Sequence, residues 1–366
     1  MVAFIFAFWY NNFTMKYFER MKEKFEKLQN KKDVIILSIE SSCDETSIAV
    51  VKNGREILSN IIASQIEIHR RFGGVVPEVA SRNHILAISN IFKQAIEQAG
   101  IEKSDIDAVA VTYGAGLVGA LLVGVNFAKA LAYSLDVPLI AVSHVHGHIA
   151  GNYVSHAKLE PPFLCLMVSG GHCAILRVED YNSFKLIGST VDDAVGECFD
   201  KVARVLSLPY PGGPEIDKLA KEGHKTHNFV VSNSLKNTFN FSFSGIKTAV
   251  VNYVHNMEQK GEKINKADIA FSFEDDVTNE LVEKTVRACK EQGLDKIVVA
   301  GGVGANSMLR EKFEKACAND GFEFFSPVLK LCTDNAAMIG SAGYYMMKDG
   351  LGLADLSLTA KATVGL

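Results

Sequence analysis

The feature that most constrains this 366-residue chain is an internal repeat of one α/β pattern. Beginning at Val34, VIILSIE is an apolar run of strand length, SSCDET a polar turn, and SIAVV a returning strand. Glu56 to Ser64 reads as a third strand. A helix is expected from about Pro77 to Gln98, with proline at its start and Gly100 at its end. The series then recurs. FLCLMV is a strand, SGGH a polar turn, CAILRV a returning strand and FKLIGST a third, followed by a helix from roughly Asp193 to Leu206. Two copies of strand, polar turn, strand, strand and helix predict a duplicated α/β unit with a site between its halves. The length agrees, since it exceeds what one hydrophobic core usually serves. Helices and strands go on alternating beyond the repeat, with a long helix near Asp268–Gln292, the strand KIVVA, the glycine turn GGVG, and a helix from Asn306. The stretch from about Glu222 to Gly245 is polar and reads as a surface insertion.

Composition excludes little beyond wholesale disorder, with 48% hydrophobic and 22% charged residues. The net charge of −4, from 38 basic against 42 acidic residues, argues against a generic nucleic-acid coat but leaves room for a local basic patch. One candidate patch runs from Lys218 to Lys247, where five lysines face one glutamate among His224, His227 and several Phe. Contact with RNA phosphates and a solvated loop are equally good readings of it. Seven scattered cysteines, none in a CxxC pair, fit reduced thiols of a cytoplasmic protein better than a disulfide framework or zinc ribbon.

The first ten residues, MVAFIFAFWY, are apolar but too short to span a bilayer, and lack a basic flank or cleavage site. Met15, Phe18, Met21, Phe25 and Leu28 then recur at helical spacing among Lys and Glu. Either residues 1–33 form an amphipathic helix docked on the body, or translation starts at Met15 or Met21.

The chemistry-bearing residues start with His144-Val-His146-Gly-His148. On a helix, positions i and i+4 share a face about 6 Å apart, which suits two imidazoles on one metal ion, while His146 points elsewhere. Spacing alone leaves core packing an equal reading. No HExxH pattern is present, so a zinc-protease arrangement is not met. Asp334 in CTDN could be a third ligand, giving two histidines and one carboxylate with open positions. It also stands just before the helical run AAMIGSAGYYMM, and the local sequence favours a helix cap.

Three glycine turns, at Ser169-Gly170-Gly171, Gly212-Gly213 and Gly301-Gly302-Val303-Gly304, could bring backbone N–H groups to phosphate oxygens. Each alone could be an ordinary tight turn. A formal GxGxxG at Gly114, Gly116 and Gly119 follows several strands rather than opening the first βαβ unit, so it reads as close helix packing. No GxxxxGK[ST] occurs. Carboxylates at Glu40, Asp44, Glu45, Asp192, Asp193, Glu197, Asp200 and Asp217 follow strands or turns, where they could bind ribose, hold metal or move protons. Solvated turns are equally rich in them.

Taken together, IESSCDETSIAVV, FGGVVPEVASRNH, HVHGH, MVSGGH, DDAVGECFDK, YPGGPEID, FSFSGIKT, AGGVGAN and CTDNAAMIG, in that order, resemble the universal threonylcarbamoyl-adenosine transferase family of the actin/Hsp70/sugar-kinase superfamily. The resemblance covers the chain from about Val34 almost to its end, and FGGVVPEVASRNH and YPGGPEID are closest to the bacterial and organellar branch. It implies a duplicated actin-like (ribonuclease H-like) two-lobe fold with the active site in the interlobe cleft. Residues 34–150 and 151–366 would form the two lobes, the last segment being able to pack back on the first. The implied reaction moves a threonylcarbamoyl group from threonylcarbamoyl-AMP to N6 of adenosine 37 in tRNAs reading ANN codons, releasing AMP. His144, His148 and Asp334 fall on the family's metal ligands. Met167, Val168, Ser169, Gly170 and Gly171 fall on its substrate-binding strand and turn. Asp200, Gly213, Asp217 and Asn306 fall on positions that bind the adenylate. Asp44 and Glu45 are the candidates for proton handling. The resemblance further implies one divalent metal ion per subunit, iron(II) ahead of zinc(II). It also implies a complex with a scaffold paralogue and a small P-loop ATPase, a cytoplasmic location and no membrane. A non-catalytic scaffold paralogue and an ATP-dependent phosphotransferase are the alternatives; the former lacks the histidine pair and the latter needs none. The chain departs from the common bacterial pattern at His146, often a glutamate, and in residues 1–33.

Overall fold

The computed structural model describes residues 2–229 and 235–365, with side chains described at residue 15 and from residue 17 onward. The chain divides into two compact units, one of Met1–Gln65, Val75–Leu159 and Asp334–Leu366, the other of Ile66–Gly74 and Glu160–Thr333.

In the first unit, β1 (Ile35–Glu40), β2 (Glu45–Lys52) and β3 (Glu56–Ser64) form an antiparallel meander. The strands β4 (Ala108–Gly114) and β5 (Leu139–Ser143) join β1 in parallel, and β11 (Leu353–Ala354) closes the far edge antiparallel to β5. The order is β11-β5-β4-β1-β2-β3. In the second unit, β6 (Phe163–Val168), β7 (Cys173–Asp180) and β8 (Ser183–Ser189) repeat the meander, and β9 (Lys296–Ala300) and β10 (Glu323–Phe325) extend it in parallel, in the order β10-β9-β6-β7-β8. The pattern 3-2-1-4-5 therefore occurs twice, and the repeat legible in the sequence is a repeat of topology. The central strands of both sheets are buried along nearly their whole length, as strands covered on both faces must be.

Helices cover the first sheet. The helix α3 (Pro77–Ala99) starts at its proline and ends on Gly100, whose φ of 64° lets its N–H reach the carbonyls of Ile96 and Glu97. With α4 (Val118–Leu135) it packs over a core that includes Leu37, Ile48, Val109, Ile88 and Val125. By length and composition alone α4 could cross a membrane; here its Val125, Ala128 and Ala132 lie in that core. The glycines of the GxGxxG lie at close approaches. A Cβ at Gly116 would meet the Ser42 carbonyl at 2.6 Å and one at Gly119 the Ser81 hydroxyl of α3 at 2.5 Å. They serve packing, as expected from their position.

The first helix, α1 (Val2–Gln29), docks on this unit. Tyr17, Met21, Phe25 and Leu28 are buried, whereas Met15 is 55% exposed, so the inner stripe runs through Tyr17 rather than Met15. The Tyr17 hydroxyl donates to the Val137 carbonyl at 2.9 Å, and Arg20 and Lys24 both contact the Asp136 carboxylate at 2.6 Å.

The second unit adds α2 (Ile66–Arg70), α6 (Val195–Val205), α7 (Gly212–Ala220), α8 (Ser244–Gln259), α9 (Lys266–Glu291) and α10 (Ser307–Asp320). The expected surface insertion at 222–245 proves different where it is described. Phe229, Phe241 and Phe243 are buried in the main core of this unit, and α8 begins at Ser244. Phe-rich spacing in a polar stretch is the signal for this, because each buried Phe is worth about 1.5–3 kcal/mol and draws the loop inward. Three of the five lysines between 218 and 247 also meet carboxylates: Lys221 with Asp217, Lys225 with Asp275 and Asp276, Lys247 with Asp193. All seven cysteines are free thiols.

Candidate metal centre and donor site

The helix α5 (His144–Ser155) starts as β5 ends, and α11 (Ala336–Lys348) lies against it. Gly147 permits that contact, since a Cβ there would meet Ile339 at 2.5 Å. Two strand serines fix the start of α11. Ser38 of β1 donates to the Ala336 carbonyl at 2.6 Å, and Ser47 of β2 accepts from the Ala336 N–H at 2.9 Å. Asn335 caps the helix, its Oδ1 accepting from Met338 N at 3.2 Å. Capping thus falls to Asn335, and the Asp334 carboxylate turns to the histidines.

Asp334 Oδ1 is 3.5 Å from His144 Nε2 and 3.4 Å from His148 Nε2. All three potential ligand atoms lie within 4.8 Å of one another, and both rings are buried. These separations exceed the usual 2.7–3.2 Å of a hydrogen bond. They match the spacing of about 3.4 Å between two atoms each about 2.1 Å from one tetrahedral ion. Two imidazoles and a carboxylate therefore fit a divalent cation. His146 is outside the cluster, and burial pushes its ring down to about 4, keeping it neutral.

Glu40, at the end of β1, completes the arrangement. It is fully buried, and its Oε2 lies 3.2 Å from His144 Nδ1 and accepts from Thr112 Oγ1 at 2.5 Å, while Oε1 accepts from the Ser42 N–H at 2.6 Å. Burial opposes its charge, but His144 and these hydrogen bonds hold the carboxyl down to about 2. Burial likewise opposes a charge on His144, yet Asp334 and Glu40 raise it to about 9. The acidic surroundings thus favour positive charge here, as a proton on His144 or as a metal ion. By sequence Glu40 is one ambiguous carboxylate among several. A charge closing an otherwise apolar strand is the signal for its role.

Asp44 and Glu45 occupy the β1–β2 turn and the first position of β2, both buried. The turn is held by His84 of α3, which lies 3.0 Å from the Cys43 carbonyl through Nε2 and 2.7 Å from Thr46 Oγ1 through Nδ1. A carbonyl can only accept, so Nε2 carries the proton and Nδ1 accepts from the hydroxyl. The SRNH motif contains this histidine without revealing its task. Burial first, then the charges of Asp334 and Asp44, push the Glu45 carboxyl up to about 10, and Ser64 Oγ donates to it at 3.0 Å.

The remaining expected residues lie in the second unit. Met167 and Val168 end β6, and Ser169, Gly170 and Gly171 form the turn to β7, both glycines exposed. This turn meets two others. The Gly196 N–H of α6 donates to the Ser169 carbonyl at 3.2 Å, and Gly301 has φ 94° with room for no Cβ, which would meet the Val168 carbonyl at 2.4 Å. Asp200, one turn along α6, accepts from the Gly212 N–H at 2.7 Å, which ties it to the turn carrying Gly213. Asp217 Oδ1 accepts from the N–H and hydroxyl of Ser307 at 2.9 and 2.6 Å, and so lies beside Asn306.

The family model described as tRNA N6-adenosine threonylcarbamoyltransferase matches residues 56–341. The chain belongs to that family. It is 57% identical over 333 residues, 91% of this chain and 98% of the relative, to the Clostridium perfringens protein of that name. To the Clostridium botulinum protein of the same name it is 56% identical over 316 residues, 86% of this chain and 93% of the relative. The family implies a divalent metal, for which His144, His148 and Asp334 are the candidate ligands. Among solved structures, HypF from T. kodakarensis is similar with a TM-score of 0.59 at 14% identity, covering 87% of this chain and 48% of HypF. Component A of the (R)-2-hydroxyglutaryl-CoA dehydratase of Acidaminococcus fermentans gives 0.51 at 15%, covering 86% and 99%. At such identities they speak for the fold, a duplicated actin-like one.

Proposed function

We propose that this chain transfers the threonylcarbamoyl group of threonylcarbamoyl-AMP to N6 of adenosine 37 in tRNAs reading ANN codons, with release of AMP. The observation that carries the reading is the convergence of His144, His148 and Asp334 in a chain of this family. A scaffold paralogue without the histidine pair and an ATP-dependent phosphotransferase are not favoured, since the named relatives are transferases.

His144, His148 and Asp334 hold one divalent metal ion per subunit, iron(II) ahead of zinc(II), and Glu40 fixes the His144 ring. When bound, the metal supplies Lewis acidity to oxygens of the donor. The turns at Ser169–Gly171 and Gly301–Gly304 offer N–H groups to the donor phosphate. Asp200, Gly213, Asp217 and Asn306 bind the adenosine part or nearby parts of the adenylate. Bond formation between N6 and the carbamoyl carbon breaks that carbon's bond to the phosphate oxygen, which leaves on AMP, and N6 gives up a proton. We assign its acceptance to Asp44, beside Glu45, whose burial and acidic neighbours favour its neutral form. The adenine amine is a weak nucleophile, so positioning matters as much as proton transfer. Adenosine 37, unpaired in the anticodon loop, is open to capture by a pocket.

Within this reading the protein works in the cytoplasm beside a scaffold paralogue and a P-loop ATPase. Ile85 and Leu86 on α3 with Val118 and Leu122 on α4 are exposed and offer an apolar face for the paralogue. The test is to incubate purified chain, partners, a donor-generating system and unmodified tRNA, then analyse nucleosides by mass spectrometry. Threonylcarbamoyl-adenosine is the expected product; its absence, with the C. perfringens relative active in parallel, would sink the proposal.

A further inference from the structure

The second unit contains a buried acid that no expected role accounts for. Glu274 of α9 is 1% exposed, and its Oε1 accepts from Asn306 Nδ2. The Asp217 carboxylate lies near enough for its charge to oppose ionisation of this carboxyl. Asn306 is held at its other end as well, because its Oδ1 accepts from Leu309 N at 2.8 Å and caps α10. An asparagine amide has two N–H donors, so one is committed to Glu274 and the second remains for a ligand oxygen. Asp217 is similarly committed, with Ser307 on Oδ1 and Lys221 Nζ 3.2 Å from Oδ2.

An acid at this depth is costly to keep, and a leucine would fill similar volume without that cost. Stability therefore does not explain its presence. Burial raises Glu274 to about 7, the Asn306 hydrogen bond opposing that rise and the Asp217 charge adding to it.

We propose that Glu274 is a positioning residue that holds the Asn306 amide, beside the Asp217 carboxyl, in the one arrangement competent to bind the adenosine end of the donor. This rests on the reading of Asp217 and Asn306 as donor-binding residues. Glu274 touches no ligand itself. It ties α9 to the start of α10, where Ser307 in turn holds Asp217 beside Asn306.

The test is a double-mutant cycle on AMP affinity, measured by titration calorimetry on the full-length protein, with thermal melts to confirm folding. Glu274→Leu is expected to weaken AMP binding at least tenfold, and Asn306→Ala by a similar factor. The double variant should bind no more weakly than Asn306→Ala alone, because Glu274 acts through that amide. Glu274→Gln, which can still accept from Asn306, should restore affinity to within about threefold of wild type. Additive losses, or a Glu274→Leu protein that binds AMP normally while Asn306→Ala does not, would overturn the positioning role alone. Normal binding by both Asn306→Ala and Asp217→Ala would overturn the underlying donor site and this inference with it. If Glu274→Leu does not fold, the Gln variant decides: a tenfold loss there contradicts the proposal.

Discussion

Glu40 Oε2 lies 3.2 Å from His144 Nδ1, on the side of the ring opposite the Nε2 atom that approaches Asp334. This places a carboxylate behind a candidate metal ligand, where it sets both tautomer and orientation. Glu40→Gln should therefore lower metal affinity about tenfold to a hundredfold, with little change in fold. Metal retained against a graded chelator series, with circular dichroism as the folding control, checks this. Unchanged retention would mean that Glu40 only satisfies Thr112 and Ser42.

Asp334 and Asn335 divide two tasks that the sequence leaves on one residue. Asp334→Ala should abolish high-affinity metal binding while leaving α11 capped. Asn335→Ala should leave the ligands in place but cost about 1 kcal/mol through the lost cap. Metal content and a denaturant midpoint measured on both variants would show the two effects separated. A metal loss in Asn335→Ala as large as in Asp334→Ala would refute the division.

A pH dependence follows from Glu274. Its carboxyl is raised from 4.5 to about 7 by burial, so its contribution is fully present below the unfolded value and is lost as pH rises through about 7. Glu274→Gln removes the ionisable group. Relative to wild type, the variant should gain stability between pH 5 and pH 8, by at most on the order of 3 kcal/mol. Parallel denaturant titrations at the two pH values give the difference directly, and a pH-independent difference would contradict the assignment.

Gly301→Ala tests the turn behind the proposed phosphate site. At φ 94°, with a carbonyl 2.4 Å from where its Cβ would lie, alanine must displace the Val168–Ser169 backbone. A loss of about 1–3 kcal/mol in stability is expected, together with weaker AMP binding. Gly170→Ala, where a Cβ meets nothing within 4 Å, is the matched control and should fold as wild type.

Met21→Ala examines the docked first helix. Met21 is fully buried on the first unit, and a cavity there should cost about 2–5 kcal/mol in a denaturant melt. A negligible cost would show that α1 leaves the body in solution.

The duplicated meander is legible because strands buried on both faces read as apolar runs and because each copy carries its own polar turn. The pair at His144 and His148 is legible as a helical spacing, but choosing metal over core packing needs Asp334, which lies nearly two hundred residues away and has the local sequence of a cap. Asn335, a second good cap beside it, resolves that ambiguity only in three dimensions. Glu40 and Glu274 are harder still. A lone buried acid has no periodicity, and its partners His144 and Asn306 are distant in sequence. Phe229, Phe241 and Phe243 are easily overlooked because their polar neighbours dominate the local composition.

If His144, His148 and Asp334 form the centre on which transfer depends, removing one ligand must stop the chemistry without unfolding the chain. Single-turnover formation of threonylcarbamoyl-adenosine on unmodified tRNA reads this out, comparing wild type with His148→Ala at equal folded protein and equal added metal. Wild type should form product, and the variant should form it at least a hundredfold more slowly. Equal rates from the two proteins would contradict a metal centre at these residues.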